Sequence, residues 1–202
     1  MTVSTIDIAD AASPDKYLWT EQRTVSSTAR EMQVVYAGES PYPTYYARAS
    51  RISIATSSDH ILMIQADGTN YSRLKHLEIT CTDDLPASAS VAHLVLYRTT
   101  TAGSGGSAVS VGAYDTADTY GGTVQTLPSS KGTEANLLYD FWLTMPASLG
   151  DTLPRVEWTY KPGMKPIIWG TSAASGLVVQ IVTGVASTSL SVMAEFITTT
   201  YL

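Results

Sequence analysis

Cysteine is almost missing from this sequence: Cys81 is the only one in 202 residues. No intrachain disulfide can form, and a cysteine-rich metal cluster is excluded. A lone cysteine within a β-rich run reads as a small buried hydrophobe. Charge is also scarce, at 15% of residues, and the balance is acidic, with 12 Lys and Arg against 18 Asp and Glu for a net charge of −6. An acidic chain gains nothing by neutralising phosphates, so nucleic acid is not an expected partner. Arg48 with Arg51, and Arg73 with Lys75, are pairs rather than a basic stripe. No window approaches the about 18 uninterrupted apolar residues of a spanning helix, so no membrane partner is expected. Met1–Asp7 has no basic segment followed by an apolar run, so no secretory leader is expected, and synthesis and retention in a cytoplasm are.

Catalytic signatures are missing as well. There is no G-x-S-x-G elbow, and Cys81 has no histidine at a telling spacing. Gly103–Ser107 is glycine-rich but lacks the Gly-Lys-Ser/Thr ending of a phosphate loop. His60, His76 and His93 fall on three different runs; His76 and Glu78 share a strand face, but two residues do not make a metal site. Asp83 with Asp84, and Asp115 with Asp118, fall in loops; Asp115 and Asp118 read as turn formers, with a calcium site there as the alternative. The expectation is a protein that is not an enzyme, with no catalytic, cofactor-binding or metal residues and no cofactor.

What the sequence does have is 44% hydrophobic residues, enough for a full core in a domain that hides about 70% of its unfolded surface. Residues 1–50 look irregular. Pro41 and Pro43 flank Tyr42, remove backbone donors and favour extended conformations. This stretch is expected to be an arm. From residue 51 a two-residue rhythm sets in, through Ile52–Ile54, His60–Ile64, Leu77–Ile79, Val91–Tyr97, Leu137–Leu143, Val156–Tyr160, Pro166–Trp169, Leu177–Val182 and Leu190–Ile197. These runs are short, rich in Val, Ile, Tyr, Trp and Thr, and bounded by turn residues. No amphipathic helix intervenes. The expected fold is all-β: a β-sandwich over 51–202, of jelly-roll type, with an irregular N-terminal arm over 1–50. Thr99–Ser107 is expected to be a flexible polar loop.

The aromatics suggest a surface. Four Trp and 12 Tyr stand against two Phe, so most rings carry a polar handle, as rings at interfaces do. Trp142, between Phe141 and Leu143, and Trp158, between Glu157 and Thr159, are assigned to the core. Tyr42, Tyr45 and Tyr46 in the proline-rich segment, with Trp19, are the candidate subunit-interface residues. Docking of those tyrosines on the chain's own sandwich, and ligand binding, remain open. Trp19, Trp169 and the tyrosines would be the stacking rings of a sugar-binding reading.

From Leu94 onward the chain resembles virion proteins of tailed bacteriophages, of the accessory capsid or minor structural kind. The likeness rests on Leu94-Val95-Leu96-Tyr97-Arg98-Thr99-Thr100, then Thr101-Ala102-Gly103-Ser104-Gly105-Gly106. It continues through Leu127–Glu134, Lys165–Ile168 and Gly176–Val179 to the closing Val192-Met193-Ala194-Glu195-Phe196. The resemblance implies a sandwich present in many copies on the virion, as a capsid decoration or cement protein or a tail component. Its partners would be capsid or tail proteins and its own copies, a trimer being one arrangement. A carbohydrate- or receptor-binding module of a phage tail is the alternative.

Overall fold

The structure is a computed structural model and describes residues 3–6, 18–25, 28–34, 42–148, 153–161 and 163–200, the first three stretches by their backbone. The chain divides into two compact units, Met1–Pro41 and Tyr42–Leu202. In the first, β1 (Val3–Ile6), β2 (Leu18–Val25) and β3 (Thr28–Val34) form an antiparallel sheet in chain order. Within the segment expected as an irregular arm, the described residues are therefore paired strands. Trp19 stands in register with Thr5 on one side and Val34 on the other; its side chain lies outside the described atoms.

The second unit is a sandwich of two antiparallel sheets. Its strands are β4 (Thr44–Ser53), β5 (His60–Gln65), β6 (Tyr71–Cys81), β7 (Ser90–Thr99), β8 (Ser107–Ala108), β9 (Val111–Ala113), β10 (Thr123–Thr126), β11 (Glu134–Met145), β12 (Arg155–Thr159), β13 (Ile168–Trp169), β14 (Gly176–Thr183) and β15 (Ser189–Thr199). Sheet I runs β11-β7-β14-β5-β10-β8, and sheet II runs β12-β6-β15-β4-β9, with β13 beside β6. With the short strands set aside, the long ones read β11-β7-β14-β5 over β12-β6-β15-β4. The chain crosses between sheets at nearly every connection, and the last strand lies between the first and third. That order is the double Greek key of a jelly roll, as expected. The boundary differs: β4 passes through residue 50 as a continuous sandwich strand.

Alternation builds the core. Tyr45, Ala47 and Ala49 of β4, Leu94 and Leu96 of β7, Phe141 and Leu143 of β11, and Val192, Ala194 and Phe196 of β15 all point inward and are buried. In β4 the inward set skips from Ala49 to Ile52. The skip falls at Arg51, whose φ of 56° inserts one extra residue, and the register with β15 shifts at the same place. The bulge frees Arg51 from the core-facing rhythm, and its guanidinium meets Asp83 at 2.5 Å.

Thr99–Ser107, expected to be flexible, is instead tied down. Ser104 and Ser130 exchange backbone hydrogen bonds of 2.8 and 3.0 Å, and the Gln125 side-chain amide donates to the Gly103 carbonyl at 2.7 Å. Gly103 lies so close to the sheet that a Cβ there would meet Met63 Cε at 2.8 Å and the Ser130 carbonyl at 2.9 Å. The glycine therefore permits a close approach rather than looseness.

Candidate functional site

The two lateral edges of the sandwich are built differently, and the difference locates the candidate surface. On one side the excursion between β7 and β11 wraps the edge. β8 and β10 extend sheet I beyond β5, while β9 extends sheet II beyond β4. Only Val109 and Ser110 separate β8 from β9, so the chain steps directly from one sheet to the other. On the opposite side the sheets end in β12, five residues long and bearing Arg155 and Glu157, and in β11, twelve residues long. Short, charged strands are protected edges; a long apolar one presents unpaired backbone groups to another chain.

β11 is also apolar outside. Phe141, Leu143 and Met145 face inward, leaving Asp140, Trp142 and Thr144 on the outer face. Trp142 is 62% exposed and Leu137 55%, with Val91 of β7 also exposed, while Tyr139, 46% exposed, lies on the Phe141 side of the strand with its ring 4.8 Å from that of Phe141. Trp142 lies opposite His93, and the two rings stack at 4.0 Å with planes 6° apart. His93 Nε2 bonds the Asp140 carboxylate; a carboxylate only accepts, so Nε2 carries the proton. The ring is thereby fixed and supports one face of Trp142, which leaves the other face open. The earlier assignment of Trp142 to the core is corrected. Its neighbours Phe141 and Leu143 are buried because it is not, since adjacent residues of a strand point to opposite faces.

The sequence-derived interface set is scattered. Tyr45 is 3% exposed. Its ring packs on Tyr120 at 5.3 Å and Phe196 at 5.7 Å, and its hydroxyl donates to the Thr119 carbonyl at 3.3 Å. It is a core residue and no surface contact. Tyr46 points the other way, exposed and edge-on to Tyr114 at 5.7 Å. Tyr42 is half-buried. Trp169, a candidate stacking ring, is buried against Phe196 at 5.8 Å, so a sugar platform cannot use it. Trp158 is buried as expected.

The outer face of sheet II holds the other concentration of functional groups. The β6–β12 register sets Glu157 opposite Glu78 and Thr159 opposite His76. One donor atom from each of His76, Glu78 and Glu157 lies within 4.8 Å of the others. His76 Nδ1 is 2.8 Å from Thr159 Oγ1, and Arg155 reaches Glu78 at 3.5 Å. Beside the cluster, a shallow depression of about 480 Å³ is lined by Arg48, Arg51, Glu78, Leu153 and Met193 among others. Sequence reasoning had His76 and Glu78 on one face and missed Glu157, whose arrival depends on a strand pairing with no local signal.

The remaining candidates are structural. His60 is wholly buried, with Nε2 2.7 Å from Glu134 Oε1, which also accepts from Gln180. Asp84 accepts from Ser189 Oγ at 2.5 Å, tying its loop to β15, and Asp115 accepts from the Ala117 amide at 2.9 Å, a local turn. Cys81 is buried, and burial pushes its thiol upward, away from the reactive thiolate. The class these observations define is an all-β jelly-roll sandwich in which, among the described residues, β11 forms a long edge paired on one side. A scan against protein-family models, a search of curated proteins and a search of solved structures each found no match.

Proposed function

We propose that this chain is a non-catalytic structural protein of a phage virion, a capsid decoration or accessory subunit that assembles in many copies through β11. The carrying observation is the exposed Leu137, Tyr139 and Trp142 on β11, a long edge strand that pairs only with β7 among the described residues. Burying such rings stabilises a contact by about 25 cal/mol per Å² of apolar surface removed from water. Fold-level analogy points the same way, because jelly rolls recur in viral capsid proteins. Repetition around a shell turns many modest contacts into a strong assembly, and the acidic balance suits a position away from packaged DNA. The test is to dissociate purified particles and count the chain by quantitative mass spectrometry. High copy number supports the proposal; absence from particles removes it.

One observation favours a second reading, a sugar- or receptor-binding module of a phage tail. Trp142 offers an open ring face with Asp140 alongside, a combination suited to stacking on a pyranose and bonding its hydroxyls. Glycan-array binding that disappears in Trp142→Ala would favour this reading over the first.

A further inference from the structure

We infer that the outer face of sheet II carries a binding site for one divalent transition-metal ion of the zinc class, held by His76, Glu78 and Glu157. The site is independent of the β11 edge and of the proposed assembly role. His76 and Glu78 are two apart on β6 and so project from one face, and the β12 register brings Glu157 directly opposite Glu78. Their donor atoms already lie within 4.8 Å of one another. Donors around a tetrahedral ion at about 2.0–2.2 Å stand about 3.4 Å apart, so rotation of two flexible glutamate side chains closes the set without moving backbone.

Two further features point to a cation. Identical charges directly opposite on neighbouring strands repel, yet Glu78 and Glu157 are set that way. The Arg155 guanidinium reaches Glu78 at a long 3.5 Å, while its own side chain is 61% exposed. A dication between the carboxylates removes the repulsion outright. The imidazole is also oriented for the task. Thr159 Oγ1 lies 2.8 Å from Nδ1; in the tautomer with the proton on Nδ1, that N–H donates to the hydroxyl and Nε2 keeps its lone pair, which is how a ligating histidine is usually anchored from behind. An imidazole with two carboxylates suits zinc or cobalt better than calcium or magnesium, which take oxygen ligands. Three protein ligands leave a fourth position for water.

The test uses the full chain. Calorimetric titration with Zn²⁺ should show one equivalent bound, and Co²⁺ should give the visible bands of a low-coordinate site. His76→Asn and Glu157→Gln should each weaken binding more than tenfold, and Thr159→Val by about tenfold. Arg155→Ala should tighten it by releasing Glu78, and His93→Asn should leave it unchanged. Far-ultraviolet circular dichroism on each variant separates lost ligands from lost fold, and Zn²⁺ should raise the melting temperature of the parent protein but not of His76→Asn. Failure of the parent chain to bind either ion at millimolar concentration overturns the inference, as does one-equivalent binding that survives both His76→Asn and Glu157→Gln.

Discussion

The closed edge and the open edge of the sandwich begin from the same problem, sheets whose last strands have unpaired backbone groups, and solve it in opposite ways. At the closed edge the chain spends residues 100–133 on β8, β9 and β10, and polar side chains fasten that excursion. Gln125 and Gln65 both reach the Gly103 carbonyl, and the Tyr120 hydroxyl donates to the Gln65 carbonyl at 2.5 Å. Burial pushes the Tyr120 phenol well above its ordinary range, so it stays a neutral donor at any working pH. At the open edge β11 keeps Leu137, Tyr139 and Trp142 in solvent and its register with β7 slips twice, after Glu134 and after Leu137. One edge is finished within the chain; at the other, β11 pairs only with β7 among the described residues, and this is the strand that the proposed assembly would use. Stability should therefore be concentrated at the first and association at the second.

The largest expected effect tests the stability half of that contrast. Phe196 is fully buried and touches Tyr45, Tyr120 and Trp169, joining β15 to the closed edge. Phe196→Ala should cost about 3–5 kcal/mol, read as a lower midpoint in urea. A cost under about 1 kcal/mol would mean that the cluster is loosely packed. Next comes Gly103→Ala. The new methyl group meets Met63, which can move, and the Ser130 carbonyl, which is backbone and moves less easily. Overpacking of this kind costs about 1–3 kcal/mol, and amide exchange should quicken across residues 100–133 before the sheets are affected. Unchanged exchange there would show that the excursion contributes nothing to closing the edge.

The association half is sharpened by Trp142→Lys and Tyr139→Lys. Substitutions at exposed sites usually change stability by less than about 0.5 kcal/mol, so both variants should melt with the parent protein. Sedimentation should nevertheless show self-association, or binding to particles, weakened tenfold or more. Unaltered association would shift attention to another surface.

The architecture was legible because burial alternates wherever a strand has one wet face, and the sequence shows that rhythm from Ile52 to Ile197. The start of the sandwich was harder to find. Tyr45, Ala47 and Ala49 face the core, but alanines are weak markers of a face, and Pro41 and Pro43 nearby argued for an arm. The site was less legible still. Trp142 was judged by its apolar neighbours, although in a strand the neighbours of an outward residue are the inward ones. Trp158, between Glu157 and Thr159, obeys the same rule and was placed correctly. The closeness of Glu157 to His76 and Glu78 depends on the β6–β12 register, which spans some eighty residues of intervening chain and leaves no mark in local spacing. Gly103 misled in another way, since glycine signals a close approach as readily as freedom.

The smallest expected effect concerns pH at the closed edge. Asp67 caps the turn between β5 and β6, accepting from the Thr69 and Asn70 amides at 2.7 Å each and from the Asn70 side chain at 2.7 Å. Its partial burial raises its pKa, but these hydrogen bonds to the charged form outweigh that and hold the carboxyl below its ordinary range. A depressed pKa means that the folded chain binds the proton less readily than the unfolded one. The stabilisation is then complete above the unfolded carboxylate value and disappears as pH falls through the lower folded value. Because the carboxyl is largely exposed, solvent screens it and the effect is a fraction of what a buried group would give. Asp67→Asn should lower the melting temperature slightly at neutral pH, and the gap to the parent protein should narrow in acid. A gap that stays constant with pH would mean that Asp67 acts through turn geometry alone, and that the charge of its carboxylate contributes nothing to holding the closed edge.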